Sequence, residues 1–202
     1  MSAFNRLTSC VVAFSISSLG WFIPAHAQVP PAPPGGSTPV TGETQPGTAA
    51  QRQASQRFVT QATYANRAEI QQARYVVNHT ANAAVKNFAQ RMIHDHTLSL
   101  DQLQAIASSG GLQIPAGVST RDQKSFDELK GRNGDGLDEH YIDDQVMDHK
   151  QAVAQFKSAA KQSDLLPAVR EYARKTVPTL QEHLHLAQQL VATESKGNHS
   201  AG

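Results

Sequence analysis

Cysteine is almost missing from the sequence: Cys10 is the one cysteine among 202 residues. It lies in an N-terminal segment that has an early cation (Arg6), an apolar run over residues 7–24 and an Ala-x-Ala sequence ending at Ala27. This order is typical of a secretory signal peptide, and it predicts cleavage after Ala27. The remaining chain would then have no thiol, which excludes disulfides and a cysteine nucleophile. Its stability must come from its core or from a bound ligand.

Long apolar runs are also scarce. The run over residues 7–24 is interrupted by serines and Gly20, which favours a cleaved signal over a membrane anchor, and nothing after Ala27 could span a membrane. The Leu-Thr-Ser-Cys box at residues 7–10 precedes most of the apolar run instead of following it, so lipidation at Cys10 is not expected. We expect a periplasmic or envelope-associated protein, and the sequence leaves a protein or envelope partner and the oligomeric state open.

Neither sign of charge dominates. The chain has 18 Lys and Arg against 17 Asp and Glu, and loss of Arg6 with the signal would leave a formally neutral protein. No basic patch is visible, which excludes nucleic acid as a partner. The sequence also lacks a Gly-x-Ser-x-Gly elbow, a phosphate loop and a His-Glu-x-x-His motif. The turn at residues 131–136 fails as a calcium loop because its first and last ligand positions are Gly131 and Ile142. No catalytic residue is predicted, and whether the protein is an enzyme stays open.

Composition divides the remaining chain into three segments. Residues 28–52 are rich in Pro, Gly and Thr and predict a disordered linker. Residues 53–192 predict the folded domain, and residues 193–202 predict a disordered polar tail. Within the domain, apolar residues recur every three or four positions along four segments. The face of the first segment comprises Phe58, Ala62, Ala65, Glu69, Ala73 and Val76.

These four amphipathic segments predict an all-α fold, an antiparallel four-helix bundle. Gly110 and Gly111 end the second long helix, and Thr120 with Gln123 predicts a capping box that opens a short extra helix in the connection between the second and third long helices. Pro167 suits the first turn of the last helix. Pro178 lies inside that helix and predicts a kink before His183.

Each long helix places one metal-capable side chain on its apolar face: Glu69, His96, His149 and His183. At about 1.5 Å per residue, the three histidines fall within roughly 6 Å of one another along the bundle axis, whereas Glu69 lies lower. Three imidazoles and a carboxylate would suit one transition-metal ion, zinc, iron or manganese. Met92 and Met147 add a copper hypothesis through their thioethers.

Three acidic residues each precede an inward histidine by one position: Asp95, Asp148 and Glu182. They point about 100° away from the apolar face, toward neighbouring helices, and could orient a neighbour's imidazole. The alternative to a metal site is a structural polar core, in which histidines pair with carboxylates and fix the helix register, within an envelope stress or binding module. His94, His140, His185 and His199 are predicted to lie at the surface or in loops.

An ordered set of motifs resembles one known family. The motifs are Phe88-Ala89-Gln90-Arg91-Met92 leading to Asp95-His96, Tyr141 leading to Asp148-His149, and Val177-Pro178-x-Leu180-x-x-His183. They are similar to those of a secreted bacterial family catalogued as domain of unknown function 4142, whose members are often labelled outer-membrane proteins and grouped with ferritin-like folds. The resemblance implies a ferritin-like four-helix bundle outside the cytoplasm, and it implies no established activity.

The sequence departs from the ligand pattern of ferritin-like di-iron proteins. Those proteins use Glu on two helices and Glu-x-x-His on the other two. No Glu-x-x-His occurs here, and Glu69 is the only carboxylate predicted to face inward. A di-iron oxidoreductase is therefore a third hypothesis that the ligand pattern argues against, because the fold alone does not carry the chemistry.

Overall fold

The computed structural model describes residues 47–200, with side chains described through residue 193. This part of the chain forms five helices and no strand: α1 (Ala49–His79), α2 (Ala83–Gly110), α3 (Thr120–Lys130), α4 (Asp135–Ala159) and α5 (Pro167–Ser200). The predicted all-α class, with four long helices and one short helix, is confirmed. None of the helices in this region combines the length and apolar character that a membrane span requires. The predicted signal peptide and most of the predicted linker lie outside the described residues.

Two helical hairpins make up the bundle. α1 packs along α2, α4 packs along α5, and contacts between α2 and α5 join the two pairs. The three-residue connection between α1 and α2 forces these helices to run antiparallel. Asn82 caps α2 by accepting from the backbone N–H groups of Ala84 and Val85. At its other end α2 stops at Gly111, whose φ of 63° is the left-handed conformation that glycine adopts without strain.

The first helix begins earlier than the composition suggested. Thr48 and Gln51 form a capping box, in which the Thr48 hydroxyl accepts from the Gln51 backbone N–H and the Gln51 side chain accepts from the Thr48 N–H. α1 therefore starts at Ala49, within the stretch predicted as linker. At the other end of the domain, α5 continues to Ser200, through much of the predicted tail. α5 also continues as one helix through Pro178.

The N-cap of the short helix lies one residue before the predicted one. Ser119 is its N-cap, and its hydroxyl accepts from the backbone N–H of Asp122 while lying 2.6 Å from the Asp122 carboxylate. The predicted pair of Thr120 and Gln123 is therefore wrong, because Thr120 is already the first helical residue. α3 lies against α1 and α4, with Leu129 buried.

A layer of buried polar side chains divides the apolar core into two clusters. The lower cluster, toward the start of α1, includes Ala54, Val59, Leu103, Phe156, Leu165, Val169 and Tyr172. The upper cluster, toward the end of α1, includes Val76, Val85, Phe88, Met92, Leu137, Tyr141 and Ala187. The polar layer lies between them, at mid-height of the bundle. It consists of Thr63, Asn66, Glu69, Gln72, His96, Gln145, His149 and His183. Burial of this many polar groups destabilises the fold unless each group has a hydrogen-bond partner. The partners of these side chains therefore indicate the role of the layer.

Candidate metal centre

Three histidines of the polar layer come together from three helices: His96 on α2, His149 on α4 and His183 on α5. All three are buried, and one ring nitrogen from each lies within 4.8 Å of the others. Their ring centroids are 5.2 to 5.7 Å apart. An ion binds imidazole nitrogen at about 2.0–2.1 Å, so a small side-chain adjustment would close the cluster around one ion. The predicted approach of the three imidazoles is confirmed.

The orientation of His96 is set by Asn66 on α1. The Asn66 amide nitrogen donates to the carbonyl of Ala62 at 2.7 Å, which turns the amide oxygen toward His96. His96 Nδ1 lies 3.0 Å from that oxygen and must therefore carry the hydrogen. Its Nε2 is then a lone pair, and it is buried without any hydrogen-bond partner in the described structure. A buried acceptor with no partner costs about 1–3 kcal/mol.

The other two rings are held in the same way. His149 Nδ1 lies 3.0 Å from the backbone carbonyl of Gln145, which can only accept, so the hydrogen is on Nδ1. His183 Nε2 donates to Asp95 Oδ2 at 2.8 Å. The remaining nitrogens, His149 Nε2 and His183 Nδ1, face each other at 3.2 Å. Each ring thus donates outward to an oxygen and turns a lone pair inward, an arrangement that also orients histidine ligands around metal ions.

Burial keeps these rings neutral. It lowers the pKa of His149 to about 4, with a further lowering by His183 that the Gln145 carbonyl opposes. Burial, followed by the charges of His149 and His183, holds the pKa of His96 well below its ordinary value. Burial also lowers the pKa of His183, outweighing the raising effect of Asp95. Neutral imidazoles are the form that binds metal, so no proton has to be displaced near neutral pH.

The predicted outer partners have different places. Asp95 contacts His183, and it is also held by Arg91 Nε at 3.3 Å. Burial raises the pKa of Asp95, but the hydrogen bonds and charges of His183 and Arg91 lower it below its ordinary value, so Asp95 is a carboxylate. Glu182 is exposed and reaches Arg91 at 3.9 Å rather than a histidine. Asp148 is half-buried, with Asp144 and the Arg121–Asp122 pair as its charged neighbours, and its pKa is raised by burial.

Glu69 lies in the polar layer but outside the histidine cluster. Its Oε2 accepts from Gln145 Nε2 at 2.6 Å, and the hydroxyl of Tyr141, buried without a partner in the described structure, is a neighbour. Burial raises the pKa of Glu69 to about 8; the Gln145 hydrogen bond opposes the rise, and nearby aspartates add to it. The role of Glu69 as a fourth ligand stays a prediction, since its carboxyl group is hydrogen-bonded to Gln145.

Two residues that position the rings had no predicted role. Gln145 lies four residues before His149 and therefore shares its face of the helix, but a glutamine at this position does not by itself indicate a contact with the ring. Asn66 was missed because the apolar Ala65 was assigned to the inward face, whereas Ala65 is exposed and Asn66 is buried. Ala65 and Asn66 follow Ala62 by three and four residues, so helical spacing is compatible with either one facing inward. The sequence favours Asn66 only through its position three residues before Glu69, which places both polar residues on the same face.

The remaining candidates lie away from a ligand role. Met92 is packed in the upper apolar cluster, and Met147 is 61% exposed on α4. His94 is exposed, as predicted, and so is His185, which lies 2.9 Å from the Gln189 side chain. His140 is half-buried beside Asp144. His199 lies outside the described side chains.

Comparison with family models finds one match, described as Domain of unknown function (DUF4142), over residues 41–190. The match covers both hairpins, the α3 connection and all residues of the histidine cluster. Comparison with curated proteins and with solved structures finds no significant match. The function must therefore be argued from the geometry of the cluster.

Proposed function

The chain belongs to the family described as Domain of unknown function (DUF4142), and we propose that it binds one transition-metal ion through His96, His149 and His183. The observation that carries this proposal is the inward lone pair on each ring. The outward N–H groups of the three rings are already donated to Asn66, Gln145 and Asp95. Among the residues that the structure describes, no cation or hydrogen-bond donor lies between the three inward nitrogens. One ion would satisfy all three.

The donor set favours particular ions. Three neutral imidazoles and no thiolate suit zinc or copper, whereas iron and manganese sites usually include carboxylates. Glu69, the carboxyl group of the polar layer, is hydrogen-bonded to Gln145, and its pKa of about 8 keeps most of it protonated at neutral pH. Three protein ligands also leave a coordination position of a tetrahedral ion open. Zinc is therefore the probe of choice, with copper beside it.

The fold and location belong to the same proposal. The four long helices α1, α2, α4 and α5, with the cluster at mid-height, support a ferritin-like four-helix arrangement. The segment over residues 1–27 supports export, and we place the mature protein in the periplasm or at the envelope. It would be a metal-binding bundle protein of the cell envelope.

Metal titration of the metal-free full chain tests the proposal. We expect one equivalent of zinc or copper(II) to bind, with manganese(II) weaker, and we expect bound ion to raise the unfolding temperature. The double variant His96→Ala/His149→Ala should lose both effects. If neither ion binds nor stabilises the wild-type protein, the proposal is wrong.

The alternative function is an envelope stress or binding module whose histidines form only a structural polar core. It predicts a stability that is indifferent to added ions and to a chelator. The unpartnered His96 Nε2 favours the metal, because a polar core that exists for its own hydrogen bonds would satisfy that atom.

A further inference from the structure

A groove of about 550 Å³ runs along the surface between α2 and α5. Apolar side chains, among them Leu98 and Ile106, line its lower part. At its upper end, level with the polar layer, it is lined by Asp95 from α2 and by Thr176 and Thr179 from α5. The groove therefore ends at the carboxylate that holds His183.

Two connections link this groove to the cluster. Asp95 accepts from His183 at 2.8 Å. Tyr172 lines the groove, its hydroxyl lies 2.6 Å from that of Ser99, and its neighbour Asn66 is the residue that orients His96. The groove thus touches the partners of two of the three candidate ligands.

A second groove, about 800 Å³ and more open, lies between α4 and α5 and is lined by Val146, Met147, Lys150 and Gln188, among others. The side chains and carbonyl that hydrogen-bond the three rings belong to Asn66, Gln145 and Asp95, and none of these residues lines this groove. Its volume is larger, but its connection to the cluster is weaker.

The ring of His183 separates the first groove from the cluster. Its Nε2 faces Asp95 at the groove, its Nδ1 faces His149 inside the bundle, and the residue is only 1% exposed. Glu171 also lines the groove, but its carboxylate is already paired with Lys175. An ion that moves to the upper end of the groove therefore meets Asp95 and then this ring. Rotation of the His183 side chain would open a path from the groove to the cluster without unfolding a helix.

On the premise that the cluster binds a metal ion as proposed above, we propose that a divalent cation enters the cluster through the α2–α5 groove. Asp95 is its first ligand, and the ring of His183 is the gate. Asp95 has two tasks in this route: its charge attracts the cation, and its hydrogen bond holds the gate closed. Carboxylate oxygen is a weaker donor than imidazole for zinc or copper, so the ion passes on from Asp95 to the three nitrogens.

Stopped-flow zinc binding and chelator-driven zinc release, measured on the metal-free full chain, test the route. Thr179 is exposed at the upper end of the groove, and Thr179→Trp would plug it. A plug raises the barrier between the free and bound states but changes neither state. We therefore expect association and dissociation to slow by the same factor, at least about tenfold, or ~1.4 kcal/mol in the barrier, with an unchanged Kd.

The matched control is Gln188→Trp, which puts the same side chain on the same helix in the α4–α5 groove. It should leave both rates unaltered. Circular dichroism shows whether each variant is folded, and Gln102→Trp, at the exposed edge of the α2–α5 groove, supplies a second plug if Thr179→Trp does not fold. Unaltered rates in the plugged variants, or slower rates in Gln188→Trp instead, overturn the route.

The role of Asp95 has its own readout. Asp95→Asn keeps an acceptor for His183 but removes the charge, so association should slow and lose part of its dependence on ionic strength. Asp101→Asn, at an exposed site on the same helix, should keep the salt dependence of the wild type, and an identical loss in both variants would remove Asp95 from the route. A wild-type chain that binds no zinc overturns the proposed function and the route together, whereas zinc binding with unaltered rates in the plugged variants overturns the route alone.

Discussion

His149 Nε2 and His183 Nδ1 face each other across 3.2 Å, and neither carries a hydrogen when the rings are neutral. Two lone pairs at this distance repel each other unless a cation lies between them or near them. A hydrogen bond between these two nitrogens would require one of them to carry a hydrogen. In the neutral rings, the hydrogens are on the other nitrogens, which donate to Gln145 and Asp95. The pair is therefore better described as two sides of a ligand set whose third member is His96.

Removing one of these nitrogens should abolish stabilisation by zinc. With free zinc at about 100 times its Kd, the wild-type free energy of unfolding should rise by ~2.7 kcal/mol. His149→Ala should show no such rise in urea unfolding with and without zinc. His185→Ala, which changes an exposed histidine on α5, is the matched control and should respond like the wild type. An equal response in both variants would contradict the ligand role of His149.

Asn66 should matter for zinc affinity although it does not reach the ion. Asn66→Leu removes the acceptor for His96 Nδ1, and loss of such an outer partner typically weakens metal affinity about 10–100-fold. Asn78 makes the same kind of bond to the backbone carbonyl four residues earlier, but it lies at the exposed end of α1. Titration calorimetry should therefore find unaltered zinc affinity in Asn78→Leu, and a comparable loss there would point to a general effect on α1.

Glu69 should make the metal-free protein less stable as pH rises. Burial raises its pKa from 4.5 to about 8, so between these values the folded protein binds a proton that the unfolded chain has released. The free energy of unfolding therefore falls as pH rises through this window, by on the order of a few kcal/mol. The histidines act in the opposite direction, since their pKa values are lowered by burial.

The variant Glu69→Gln isolates this contribution. It keeps a hydrogen bond to Gln145 but cannot ionise, so its stability relative to the wild type should increase from pH 5 to pH 8.5. Urea unfolding at several pH values in the presence of a chelator measures the difference. Glu128→Gln, an exposed carboxyl group on α3, is the control, and a parallel change in both variants would exclude Glu69 as its source.

The fold has a separate hydrogen bond that should affect stability alone. Ser55 on α1 is fully buried, and its hydroxyl accepts from the backbone N–H of Leu166 at 2.7 Å, tying the α4–α5 connection to α1. Ser55→Ala leaves that N–H unsatisfied, at a cost of about 1–3 kcal/mol. Zinc affinity should not change, because the bond lies in the lower part of the bundle. Ser108→Ala, at an exposed site on α2, should have little effect on chemical denaturation.

The long helices could be predicted from sequence because their apolar spacing repeats over many turns. The depths of His96, His149 and His183 followed from residue counts to the turns, because a helix rises by a constant amount per residue. Helix starts were less predictable: the Thr48 cap stands within a Pro- and Gly-rich stretch, and Ser119 and Thr120 are both good caps.

The outer contacts of the site could be predicted only in part. The position of Asp95, 100° from His96, predicted a contact with a neighbouring histidine, and Asp95 does contact His183. Glu182 has the same offset from His183, but it ends at the surface beside Arg91. The number of residues between two side chains gives the direction in which each one leaves its own helix. Whether a side chain contacts a histidine also depends on where the neighbouring helix lies around that helix. The Gln145 group that accepts from His149 is the backbone carbonyl, which every residue has, so the residue type cannot predict this contact.

The polar layer also determines how the bundle opens. The layer separates two apolar clusters along the bundle, so without an ion we expect hydrogen exchange to show the two ends of the bundle opening independently. His96 belongs to the first hairpin, while His149 and His183 belong to the second. An ion among them would join the hairpins as a reversible cross-link. The lifetime of the folded protein would then follow the free metal concentration around it.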